Sequence, residues 1–214
     1  MILMSNMNFD NAGFLLSFFM LIGVIASSIR GAEKAISAQM DITGVILLAF
    51  VTSNGGGTIR DILLETRVFW LKDIYYVWIT VIVGVTTFFL IRYRKSKLNY
   101  VEFKYFNVVI DSFGVATFAL VGIQKALSFN YGITVVLVMS MLTSVGGGLI
   151  ADIIANEVPV VLCTGLNLTV SVLVSFIYLI LIHFMTSFHA SLIAIMFTII
   201  FKIISQKYDL NLPK

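Results

Sequence analysis

Twice in this chain three glycines stand together with an aspartate four residues after the last of them: Gly55-Gly56-Gly57-Thr58-Ile59-Arg60-Asp61 and Gly146-Gly147-Gly148-Leu149-Ile150-Ala151-Asp152. Each copy follows an apolar run, Ile42–Val51 and Ile133–Val145. Glycine is the weakest helix former short of proline, and three in a row remove every side chain from one spot. An ionised residue within an apolar segment is expensive in lipid and usually marks a pathway. The pattern predicts two apolar spans broken at their glycines, facing each other along a polar route.

The setting supports a bilayer. Of 214 residues, 59% are hydrophobic and only 12% charged, against about 25% charged in a soluble domain. Apolar runs near the spanning length of roughly 20 residues recur. Seven spans fit, at about 13–36, 41–64, 74–92, 105–127, 132–155, 160–182 and 188–205. The expected fold is an all-α membrane protein forming one domain over residues 1–214. Residues 1–12 lack the lysine or arginine that a signal peptide would need, so the first run is expected to remain a span.

The glycine motifs belong to a longer repeat. A shift of 91 positions superimposes Gly23 on Gly114, Gly31 on Gly122, Lys34-Ala35 on Lys125-Ala126 and Thr52-Ser53 on Thr143-Ser144. About 17 of the 46 positions from 20 to 65 are identical to their partners. The first repeat covers 13–92, the second 105–182, and the helix at 188–205 stands outside both. Three spans per repeat is an odd number, so consecutive repeats run in opposite directions through the membrane, the inverted-topology arrangement. Arg92, Arg94, Lys95, Lys97 and Lys104 crowd the link between the third and fourth spans, which the positive-inside rule makes cytoplasmic. The N-terminus is then outside, and the C-terminus, with Lys202, Lys207 and Lys214, inside. Arg67 and Lys72 fall on the outer side, against the rule.

Candidate functional residues cluster at the two motifs. Thr52, Ser53, Thr143 and Ser144 precede the glycines, where their hydroxyls can satisfy freed backbone groups or ligate an ion. Close packing of helices through small residues is the plainer use of Gly55, Gly56, Gly57, Gly146, Gly147 and Gly148. Asp61 and Asp152 are candidates for attracting a cation. Arg60 can pair with an aspartate, either in that pathway or as a structural bridge between repeats. Helical neighbours point about 100° apart, so the expected partner of Arg60 is Asp152 across the axis rather than Asp61. Counting Arg60, Asp61 and Asp152 alone leaves one net negative charge, which favours cations. Lys34 and Lys125 lie near span ends, where snorkelling to the interface is the default and lining a pore mouth the alternative. Asp111 has Met20 as its repeat partner and is expected only to favour a helix N-terminus. His183 and His189 have no metal spacing, a P-loop would need a lysine after its glycines, and no cofactor or nucleic-acid partner is indicated.

At these residues the chain resembles the prokaryotic trimeric intracellular cation channels. Phe-Val-Thr-Ser-Asn-Gly-Gly-Gly-Thr-Ile-Arg-Asp (50–61) and Asp-Ser-Phe-Gly-Val-Ala-Thr-Phe-Ala-Leu-Val-Gly (111–122) carry the likeness. The resemblance implies a homotrimer in the cell membrane with a pore for monovalent cations such as potassium inside each subunit. It marks Gly55–Gly57, Arg60, Asp61, Gly146–Gly148 and Asp152 as pore-related. Ala151 departs from it, because many relatives repeat the arginine there. Inverted repeats with broken helices also build secondary transporters, and a helix N-terminus after each triplet can hold a carboxylate, so a carrier of a small solute such as glycine is the alternative.

Overall fold

The computed structural model describes residues 9–94, 100–159, 161–162 and 166–208. These form helices α1 (Phe9–Ser37), α2 (Ile42–Leu63), a single turn α3 (Phe69–Lys72), α4 (Tyr75–Arg94), α5 (Tyr100–Ser128), α6 (Ile133–Ile154), α7 (Leu166–Leu181) and α8 (Ser187–Lys207). Each long helix falls on one of the expected spans, with ends shifted by a few residues. The start of the sixth span, including Val160 and Cys163, lies outside the described residues. Among the described residues five helices, α2, α4, α5, α6 and α8, contain stretches long and apolar enough to cross a bilayer, and α7 is a shorter apolar helix.

The expected glycine breaks are absent: α2 and α6 run unbroken through Gly55–Gly57 and Gly146–Gly148. The energetics explain the correction. Glycine costs about 1 kcal/mol relative to alanine in a helix interior, whereas each backbone group left unpaired in hydrocarbon costs several kcal/mol. Keeping the helix is therefore the cheaper solution.

Four helices end in the same way. Gln39, Glu65, Asn130 and Asn156 have positive φ, between 52 and 61°. The residue after each donates its N–H five positions back, as in Met40 to Ala35 at 2.9 Å and Glu157 to Asp152 at 2.9 Å. This is the Schellman closure of a helix C-terminus. The four residues form two pairs 91 apart, 39 with 130 and 65 with 156, so the repeat extends to its turns. Asp41 then caps α2, its Oδ1 accepting from Gly44 N–H at 2.8 Å.

The packing follows the same correspondence. α1 lies on α2 as α5 lies on α6, and α4 on α2 as α7 on α6, while α1 meets α5 and α2 meets α6 across the halves. Small residues let these helices approach. A Cβ on Gly31 would meet the Leu48 carbonyl at 2.5 Å, and one on Gly122 the Met139 carbonyl at 2.6 Å. α8 packs chiefly on α5 and α7. Large apolar side chains such as Leu47, Trp78, Ile82, Phe197 and Ile200 face outward, as lipid contact requires.

The basic residues used for orientation are only partly in view. Lys95, Lys97 and Lys214, and the side chains of Arg94, Lys104 and Lys207, lie outside the described residues. Lys202 is not a flanking charge at all: it is buried inside the bundle.

Candidate functional site

The two glycine triplets form the crossing of α2 and α6. A Cβ on Gly56 would strike the carbonyl oxygen of Thr143, and one on Gly147 that of Thr52. On Gly55 it would lie 3.1 Å from the Cα of Gly147, and on Gly146 3.3 Å from the Cα of Gly56. Thr52 opposite Gly147 and Gly56 opposite Thr143 is an antiparallel register, because one number rises as the other falls. Asp61 and Asp152, each beyond the crossing along its own helix, therefore sit at opposite ends.

At one end Asp61 is fully buried and gathers three donors. Arg60, also fully buried, bonds its Oδ1 through Nε at 2.7 Å and approaches it through Nη2 at 2.6 Å. Lys125 of α5 reaches the same oxygen at 2.7 Å. The Phe69 N–H donates to Oδ2 at 2.9 Å, and the Phe69 ring lies 5.9 Å from the guanidinium carbon. The expected bridge from Arg60 to Asp152 is thus replaced by a pair with its sequence neighbour. The long arginine side chain overcomes the 100° offset by folding back along the helix, and the turn at 64–69 supplies the rest of the shell.

The other end is built by exchange of the same residue types. Lys34 of α1 bridges to Asp152 at 2.5 Å and to Glu157 at 2.7 Å. Lys34–Asp152 and Lys125–Asp61 are one contact repeated 91 positions apart, each joining one half to the other. Neither lysine is simply snorkelling. With them included, the Asp61 group holds two cations and one carboxylate, while Lys34 stands between two carboxylates, Asp152 and Glu157, with Arg30 also acting on Asp152. This replaces the earlier count of one negative charge shared by both.

Between the crossing and Asp152 lies a narrow polar cavity of about 20 Å³, room for about one water. Thr52, Ser144, Gly148 and Asp152 line it, joined by Arg30, Asp111 and Asn167. Asp111 sits inside α5, not at its N-terminus, and takes ion pairs from Arg30 of α1 and Lys202 of α8. Asp111 and Arg30 have no charged counterparts in the 91-residue correspondence, and Lys202 lies outside both repeats. An ionisable residue in an apolar run was the signal that would have found them.

The hydroxyls before the glycines are spent locally. Thr52 donates to Leu48 O at 2.7 Å, Ser53 to Ala49 O at 2.7 Å and Thr143 to Met139 O at 2.6 Å. Ser53 also meets Thr80 of α4 at 3.2 Å, as Ser144 meets Ser171 of α7 at 2.7 Å. With no freed backbone groups to satisfy, they bond back to their own helices and tie in the third helix of each half. Of the four, Thr52 and Ser144 face the cavity. Gly55, Gly56, Gly57, Gly146 and Gly147 serve the packing, and Gly148 is on the cavity wall.

A family model described as Glycine transporter matches this chain twice, over residues 17–92 and 108–183. Both ends of the second match lie 91 positions beyond those of the first, the spacing of the repeat. The UPF0126 inner membrane protein YadS of Escherichia coli (strain K12) is 29% identical over 202 residues, covering 90% of this chain and 92% of that protein. A UPF0126 membrane protein of Vibrio cholerae serotype O1 is 38% identical over 143 residues, 66% of this chain and 58% of the relative's length. Among solved structures, a prokaryotic TRIC channel in 0.5 M KCl aligns with TM-score 0.82 and 30% identity, covering 93% of this chain and 99% of the other. The TRIC trimeric intracellular cation channel orthologue from Rhodobacter sphaeroides aligns with TM-score 0.81 and 28% identity, covering 91% and 98%.

Proposed function

The chain belongs to the family described as Glycine transporter and shares the fold of the prokaryotic TRIC channels, and from that footing we propose that it is a cation channel conducting monovalent ions such as potassium through each subunit of a homotrimer. One observation carries the reading. The alignment with a cation channel runs over nearly the whole of both chains at 30% identity, and the cavity falls where the two halves cross within a single chain. The pore is proposed to follow the α2–α6 crossing, past Thr52, Ser144 and Gly148, between the Asp61–Lys125 and Asp152–Lys34 bridges. Unbroken helices at the crossing leave the pore nearly closed, so conduction requires those bridges to part.

We assign seven spans in two inverted repeats, 13–92 and 105–182, with the helix at 188–205 outside them. The chain then sits in the cell membrane with its N-terminus outside and its C-terminus in the cytoplasm. The cavity, Asp152 and Lys34 fall in the cytoplasmic half; Asp61 and Lys125 fall in the outer half. A cysteine at position 95 is expected to label only from the cytoplasmic side, and labelling only from outside would invert the assignment.

Purified protein in a planar bilayer with a KCl gradient tests the activity. Unitary steps reversing near the potassium potential are expected. The second reading, a carrier of glycine, draws on the family model's description and on one feature of the site: Arg30 shares the cavity with Asp111 and Asp152, a pairing of charges that suits a zwitterion. Glycine uptake into proteoliposomes without unitary steps would replace the channel by the carrier.

A further inference from the structure

α8 lies outside the 91-residue correspondence, yet one of its side chains enters the polar interior. Lys202 is only 7% exposed and donates to Asp111 Oδ2, while Arg30 forms an ion pair with Oδ1. Asp111 and Arg30 line the cavity; Lys202 is not among its lining residues. The two cations are not equivalent. Arg30 divides its charge among Asp111, Asp152 and Glu33. For Lys202 the ion pair found is Asp111. A buried ammonium whose carboxylate faces a water-sized cavity cancels a charge that a cation in that cavity would otherwise meet.

We propose that Lys202 is a counter-ion supplied by α8 to Asp111, and that it sets how strongly the cavity attracts a permeating cation. The argument rests on the channel reading. Charges inside a low-dielectric constriction act strongly on an ion passing close by. Asp111 bound by both Arg30 and Lys202 presents an excess of positive charge to the cavity. Without Lys202 the remaining Arg30–Asp111 pair is neutral, and the cavity wall loses that excess positive charge. The ends of the pore are therefore not set by the repeats alone: the added helix tunes one of them.

Single-channel recording on Lys202→Met, Asp111→Asn and the double variant tests the proposal. Methionine retains the length and buried apolar stem of lysine. In low-salt KCl, Lys202→Met is expected to raise the unitary potassium current about twofold and to move the reversal potential toward that of potassium, with the gain shrinking as salt screens the cavity. Asp111→Asn is expected to lower the current below wild type. The double variant restores the wild-type charge sum and should return close to wild-type current. A salt bridge that serves structure only would give equal currents in every variant that assembles, and that result overturns the proposal. So does a gain of current that persists in the double variant. If Lys202→Met does not assemble, Lys202→Gln carries the same comparison. Wild-type protein without unitary steps removes the channel reading and the proposal with it, whereas wild-type steps unchanged by Lys202→Met remove the proposal alone.

Discussion

Asp61→Asn and Asp152→Asn change the same residue type at matching positions of the repeat, and the structure assigns them different costs. Asp61 is the counter-charge of a guanidinium with no exposed surface. Removing one partner of a buried ion pair costs about 3–5 kcal/mol, because the other charge is left uncompensated. For a chain of this size each kcal/mol moves the thermal midpoint by about 2–4 °C, so Asp61→Asn should lower it by roughly 6–20 °C. Asp152 is 4% exposed, but its partner Lys34 keeps a second carboxylate, Glu157, at 2.7 Å and half exposed to solvent. Asp152→Asn therefore leaves Lys34 paired with the solvated Glu157 and strands no charge there, which limits the loss to about 1 kcal/mol, or about 2–4 °C. Heating detergent-solubilised protein and following the trimer peak by size-exclusion chromatography reads both shifts. Adding Arg60→Met to Asp61→Asn should recover much of the loss, since an apolar side chain of similar size removes the stranded charge. Equal shifts for the two aspartates, or a larger one for Asp152, would refute the argument, as would a double variant no more stable than Asp61→Asn.

Two further substitutions probe the crossing. Gly56→Ala and Gly147→Ala place a methyl against a backbone carbonyl and should each cost at least about 1–3 kcal/mol of overpacking; Gly148→Ala, whose Cβ meets nothing within 4 Å, should be neutral or stabilising by about 0.5–1 kcal/mol while lowering unitary current, because the methyl enters the cavity wall. Ala151→Arg puts a guanidinium where Ala151 is 1% exposed among Ala32, Ala35, Val45, Leu48 and Ala49. Less trimer on size exclusion and a smaller potassium current in what assembles are expected; full assembly with a larger current would show that the small-residue cluster yields.

The positions of the spans were legible because hydropathy and the 91-residue repeat both depend on residue identity alone. The pairing of Lys34 with Asp152 and of Lys125 with Asp61 was half legible. All four residues stood out in the repeat, but their crossing depends on an antiparallel register that only packing fixes. The glycines misled in a physical way. Their low helix propensity is a property of water-exposed chains, and in a lipid-facing bundle the hydrogen-bond requirement of the backbone overrides it. Arg60 misled through its length, which lets it reach a neighbour that its Cα–Cβ direction faces away from. Asp111, Arg30 and Lys202 stand in the sequence as charges in apolar runs, but each belongs to one half or to neither, so the repeat carries no sign that they meet.

The crossing of α2 and α6 is placed where a fulcrum would be, midway between the two ion-pair clusters. Gly55, Gly56, Gly146 and Gly147 carry no side chains, so backbone meets backbone at the pivot, and only the Ile59 and Ile150 side chains reach across beside it. Asp61 stands five residues from Gly56 and Asp152 five from Gly147, a lever arm of about 7.5 Å on each side. A tilt of about 10° moves the end of such an arm by about 1.3 Å, enough to turn a 2.7 Å lysine–aspartate contact into a gap wide enough to weaken it steeply. The arms point to opposite ends, so a rocking motion that strains one bridge can be taken up at the other without moving the pivot.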